Sequence, residues 1–145
     1  MTMKKKKNIS FIVFLLLGFA GIFLHVKDAR SQSDNRGTDF WVCFPQNAKN
    51  EFNAGLQFKL FITGDKAAKG SVIISGLHKI IPFSLKASEV ISIDVDTAVQ
   101  IMSSGRIENL GVHVISDVPV AVYGLSNRKA STDTYVAYPT KVLGT

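Results

Sequence analysis

Short apolar runs that alternate with polar residues fill most of this chain after residue 38 and leave few folds open to it. Leu56, Phe58, Leu60 and Ile62 alternate with Gln57, Lys59 and Phe61; Ile81, Phe83 and Leu85 with Pro82 and Ser84; Ile91, Ile93 and Val95 with Ser92 and Asp94. Further runs rich in aromatic and β-branched residues cover 39–44, 72–74, 112–115, 118–123 and 134–138. Alternation at a period of two puts one side of a strand in the core and the other in water. Between the runs, Thr63-Gly64-Asp65, Ser75-Gly76, Ser103-Ser104-Gly105 and Ser116-Asp117 have the composition of turns. The spacing predicts an all-β module, an antiparallel β-sandwich or barrel. Helix is expected only as a single turn over 97–102. Pro82 is expected at a sheet edge or on a bulge, because it lacks the N–H of an interior ladder, and Pro119 at the start of a strand.

The N-terminus has a different character. Lys4 to Lys7 form a positive block, residues 9–24 are almost unbroken in apolar side chains, and Ala29-Arg30-Ser31 offers small residues at positions −3 and −1 of a cleavage site. This is the plan of a secretory signal peptide. Sixteen residues rise about 24 Å as a helix, short of the roughly 30 Å hydrocarbon core. The expected division is a signal peptide helix at 1–31, a polar lead-in at 32–38 and a β-rich module at 39–145. The alternative is an uncleaved N-terminal anchor, the one membrane contact expected. In both cases the module works outside the cytoplasm, secreted or at the cell surface.

Charge excludes one class of partner. The chain has 17 Lys+Arg, 11 Asp+Glu and a net charge of +6, but six of the bases and only one of the acids lie in residues 1–31. The remainder keeps 11 bases and 10 acids. A nucleic-acid binder carries its basic excess on the working domain, so no nucleic-acid partner is expected. Cys43 is the only cysteine, which rules out an internal disulfide.

Chemistry-bearing motifs are scarce. Cys43 with His78 or His113 would supply the parts of a nucleophile–base pair, but the apolar neighbours Trp41, Val42 and Phe44 favour a buried, inert thiol. His113, between Val112 and Val114, is expected on the opposite, exposed face. Asp94 and Asp96 share a strand face and could offer oxygens to Ca²⁺, although acids at a strand end are the plainer reading. No phosphate loop, paired zinc spacing or nucleophile elbow is present. No catalytic residue, metal or cofactor is therefore assigned.

The most polar stretch between strong strands runs from Ser126 to Asp133. Loops on a rigid sheet carry recognition, and the candidate binding residues are Asn127, Arg128, Ser131, Thr132, Asp133 and Tyr135. The competing reading is turn chemistry, with Asp133 accepting from the N–H of Tyr135 in an Asx-turn.

An ordered set of segments resembles a known family. Gly37-Thr38-Asp39-Phe40-Trp41-Val42-Cys43-Phe44-Pro45-Gln46-Asn47, Leu60-Phe61-Ile62-Thr63-Gly64, Gly111-Val112-His113-Val114-Ile115-Ser116, Pro119-Val120-Ala121-Val122-Tyr123-Gly124, Ser131-Thr132-Asp133-Thr134-Tyr135-Val136-Ala137-Tyr138-Pro139 and Leu143-Gly144-Thr145 are similar to the IgGFc-binding protein N-terminal domain. The resemblance implies a β-rich extracellular module of bacterial surface proteins with no assigned catalytic residue. The family domain runs past the Leu-Gly-Thr segment, so 39–145 is expected to be its first part, with an open sheet edge for downstream strands. The expected function is an exported, non-catalytic adhesion module that recognises a protein or glycan. A secreted hydrolase acting on host or cell-wall material, or a non-functional fragment, are the alternatives.

Overall fold

The computed structural model describes residues 35–46, 55–129 and 131–143. The expected signal peptide, its cleavage site and residues 32–34 of the lead-in lie outside the described residues. What is described is all-β: β1 (Arg36–Val42), β2 (Phe44–Pro45), β3 (Gln57–Thr63), β4 (Ala68–Ile74), β5 (Lys79–Leu85), β6 (Val90–Val95), β7 (Gln100–Ile101), β8 (Val112–Arg128) and β9 (Ser131–Ala137). Three short 3₁₀ turns accompany them, at Ser75–Leu77, Thr97–Val99 and Thr140–Val142. The second of these falls where a single helical turn was expected; its start is capped by Asp96, whose Oδ1 accepts from the N–H of Ala98 at 3.0 Å.

Seven strands form one antiparallel sheet organised around β8. The first part of β8 pairs with β4 on one side, Val114 opposite Val72, and with β1 on the other, Val114 opposite Phe40. The later part pairs with β3, Val122 opposite Ile62, and with β9, Val122 opposite Ala137. β5 continues outward from β4 and β6 from β3. Two four-stranded halves thus share one long strand, β5-β4-β8-β1 and β6-β3-β8-β9. Phe40, Val42, Val72, Ile74, Val112 and Val114 from the first half join Phe58, Leu60, Ile62, Ile93 and Val122 from the second in one buried cluster. The sheet therefore curls over itself, sandwich-like, around a single core. Burying each such side chain stabilises the fold by about 1.5–3 kcal/mol. β2 and β7 add a small parallel pair, Phe44 opposite Gln100.

The alternation fixes which side chains enter the core. In β3, Phe58, Leu60 and Ile62 are buried while Lys59, Phe61 and Thr63 are not. In β8 the even positions 112, 114, 120, 122, 124, 126 and 128 are buried. Pro82 lies on β5, an edge strand, as expected.

Two expectations are corrected by β8. Ser116-Asp117 is not a turn and Pro119 does not start a strand; both lie within one 17-residue strand. The reason is the handover between neighbours. Ladder pairing with β4 ends at Ser116, and pairing with β3 begins at Ala121. In that gap the missing N–H of Pro119 costs no ladder bond. Asp117 Oδ1 accepts the backbone N–H of Lys69 at 2.8 Å, and the Ser116 hydroxyl donates to the carbonyl of Val118 at 2.8 Å. Side chains that would close a turn elsewhere stitch the bend here.

Candidate functional site

The strand continuity of β8 also decides the fate of the expected recognition loop. Residues 126–128 belong to β8 and 131–133 to β9, so the stretch is a tight hairpin rather than a loop. Directly opposed residues in an antiparallel pair project to the same face. The register sets Asn127 opposite Thr132 on one face, and Arg128 opposite Ser131, Ser126 opposite Asp133 and Gly124 opposite Tyr135 on the other. The six candidate residues are thereby split. Thr132 Oγ1 donates to Asn127 Oδ1 at 2.7 Å, a pairing that closes the outer face of the hairpin on itself. Asp133 forms no Asx-turn, because it lies inside the ladder and not ahead of the strand.

On the inner face, Tyr135 lies across Gly124. A β-carbon on Gly124 would sit 2.4 Å from Cζ of the ring, so only glycine admits the tyrosine. The phenol donates to the carbonyl of Cys43 at 2.6 Å, and the ring meets Phe44 edge-on with centroids 6.2 Å apart. Burial pushes the Tyr135 phenol well above the ordinary tyrosine range, and negative charge on Cys43 adds to the effect. Tyr135 is thus a structural clasp between β9 and the end of β1. Arg128, buried to 6% exposure, points inward beside Ser131, and its Nε makes no hydrogen bond among the described residues.

Cys43 is exposed, which corrects the expected buried thiol. Phe40, Val42 and Phe44 take the inward positions, so the same alternation turns Cys43 outward. Val42 and Phe44, its immediate neighbours in sequence, face the core while it faces out. Among the described residues it shares no hydrogen bond with His78 or His113. Asp94 pairs with Lys59, and Asp96 is occupied as the cap of the 3₁₀ turn with Lys79 4.0 Å away. These are surface acids with structural work. His78 sits at φ 51°, ending the first 3₁₀ turn.

The arrangement that sequence reasoning missed lies on the outer face of β1 and β8. Trp41 is opposite His113, and their rings stack with centroids 4.3 Å apart and planes within 3°. His113 Nε2 lies 3.2 Å from Asp39 Oδ2, two residues before Trp41 on the same face. The indole also lies over Gly111, where a β-carbon would come within 3.2 Å of the ring. Trp41 is nevertheless 54% exposed. The row continues across the sheet, with Ile73 opposite His113 and Ile80, 66% exposed, opposite Ile73. His113 is therefore not a simple exposed strand residue; it is the support of an exposed indole. The signal for this was the same alternation, which puts Asp39, Trp41 and Cys43 on one side of β1; the partner, 74 residues from Asp39, could not be read from spacing.

No family model, no curated protein and no solved structure matches this chain.

Proposed function

We propose that the chain is an exported, non-catalytic binding module of a bacterial cell-surface or secreted protein, and that it recognises a protein or glycan outside the cell. The observation that carries the reading is Trp41. A large aromatic side chain on a sheet face is exposed to water, yet a stacked imidazole that is itself hydrogen-bonded to Asp39, and a glycine beneath the ring, hold it in one orientation. A rigid, amphipathic ring loses little conformational freedom when it is covered, and such residues anchor interfaces. The row through half-buried Ile73 and exposed Ile80 extends the contact area beyond a single side chain. The lysine block, apolar stretch and small-residue cleavage site of residues 1–31 support export. The resemblance of the ordered segments to the IgGFc-binding protein N-terminal domain supports an extracellular setting.

The test has two parts. A protease added to intact expressing cells should remove a tag placed after residue 143, and the secreted or surface-held protein should lack residues 1–31. On immobilised extracellular glycans and matrix proteins of defined composition, the wild-type protein should bind saturably and Trp41→Ala should bind at least tenfold more weakly. A protein retained in the cytoplasm overturns export. Equal binding by the two proteins removes Trp41 as the anchor.

A further inference from the structure

The inner face of the β8–β9 hairpin carries a charge that the fold does not neutralise. Arg128 is the last residue of β8, at an inward position in phase with Gly124 and Ser126, and is 6% exposed. Its Nε is shut off from solvent without a hydrogen-bond partner among the described residues. Asp133, the carboxylate closest in register on the same face of β9, forms no ion pair with it. Buried guanidinium groups are otherwise paired, because desolvating an unpaired charge opposes folding. An apolar side chain of similar length would fill this position with less cost to the fold. A charge held where it weakens the fold is suited to a partner that comes from outside.

We infer that Arg128 anchors a site for a carboxylate-bearing ligand. Nε is shut off from solvent, so a carboxylate would be taken by the two terminal nitrogens of the fork. Two parallel N–H donors there match the two oxygens of a carboxylate. The rigid strands on both sides, with Tyr135 clasped to the Cys43 carbonyl further along β9, fix the orientation of the fork. This goes beyond the binding-module reading and is independent of the Trp41 surface, which lies on the outer face of the other half of the sheet.

Acetate is the probe, compared with chloride at equal ionic strength and pH 7, on the full chain. Acetate should raise the thermal midpoint of the wild-type protein by about 2 °C over chloride, as binding to the folded state alone requires. Arg128→Met should melt several degrees above wild type in chloride and show no difference between the two salts. Arg128→Lys keeps the charge but loses the fork, and should keep less than half of the acetate effect. A Met variant that melts below wild type or fails to fold means that Arg128 has an internal partner, and overturns the inference. So does a wild-type protein indifferent to acetate, or an acetate effect that survives in the Met variant. Trp41→Ala should leave the acetate effect intact, so failure of the Trp41 surface and failure of this site are separate results.

Discussion

The indole of Trp41 and the imidazole of His113 lie parallel on adjacent strands, their centres 4.3 Å apart. One ring face is sealed by the histidine while the residue as a whole stays half open to water. Trp41 is the only tryptophan in the chain, so its fluorescence reports on this contact alone. His113→Ala should shift the emission to longer wavelength by exposing the sealed face. It should cost about 0.5–1.5 kcal/mol in chemical denaturation, the worth of an aromatic pair. An unchanged spectrum would show that the stacking does not persist in solution.

Gly124 and Tyr135 occupy one space between them. Gly124→Ala places a methyl group 2.4 Å from the phenol carbon, and the clasp must open. The variant should lose about 1–3 kcal/mol of stability, the usual effect of overpacking. Tyr135→Phe keeps the ring and removes only the hydrogen bond to Cys43, for about 0.5–1.5 kcal/mol. In the double variant Gly124→Ala/Tyr135→Ala, most of the overpacking cost should vanish. Urea denaturation of wild type, Gly124→Ala, Tyr135→Ala and the double variant checks the coupling.

Alkaline pH should act through the same tyrosine. Its folded-state pKa is raised by burial, with Cys43 as the second cause. Below the unfolded value of about 10 the contribution of this group is fully present. It falls as pH climbs from there toward the folded value, since the unfolded chain releases its proton first. Wild type should therefore lose stability above about pH 10 more steeply than Tyr135→Phe. Equal slopes would show that the phenol is not shielded.

Cys43 should react quickly. An outward thiol at the end of β1 is open to reagent without unfolding, and native labelling should proceed at a rate close to that in denaturant. Cys43→Ser should change stability by less than about 0.5 kcal/mol, as exposed substitutions do. Protection by a factor of a hundred or more would return the thiol to the core.

Most strands were legible because a period of two survives whatever the strand pairs with. The edge position of Pro82 followed from its missing N–H. The errors came where local chemistry and tertiary pairing disagree. Ser116, Asp117 and Pro119 are turn formers in isolation, but the ladders on either side of them carry β8 through the bend as one strand. The polar residues 126–133 have the composition of a loop, and β3 and β9 hold them in a ladder. The apolar residues beside Cys43 suggest a core position, but the parity it shares with Trp41 turns it outward. The Asp39–His113–Trp41 cluster unites residues from distant strands, a relation that only the fold creates. The chemistry of Arg128 is legible in the sequence, but its inward position depends on the register of β8 and β9, which spacing alone does not set.

The dependence of both half-sheets on β8 governs the order in which the chain can fold as it emerges. β4 with β5 can close early, and β3 with β6 needs only the residues up to Val95. β1 then waits some seventy residues for Val112–Ala121, and the two closed pairs have no shared neighbour until β8 arrives. Contacts of such long sequence separation are slow to form. Until β8 is available, the β4–β5 hairpin, the β3–β6 pair that brackets it in sequence, and β1 have no common strand to join. The chain's commitment to the native state is concentrated in one late-arriving segment.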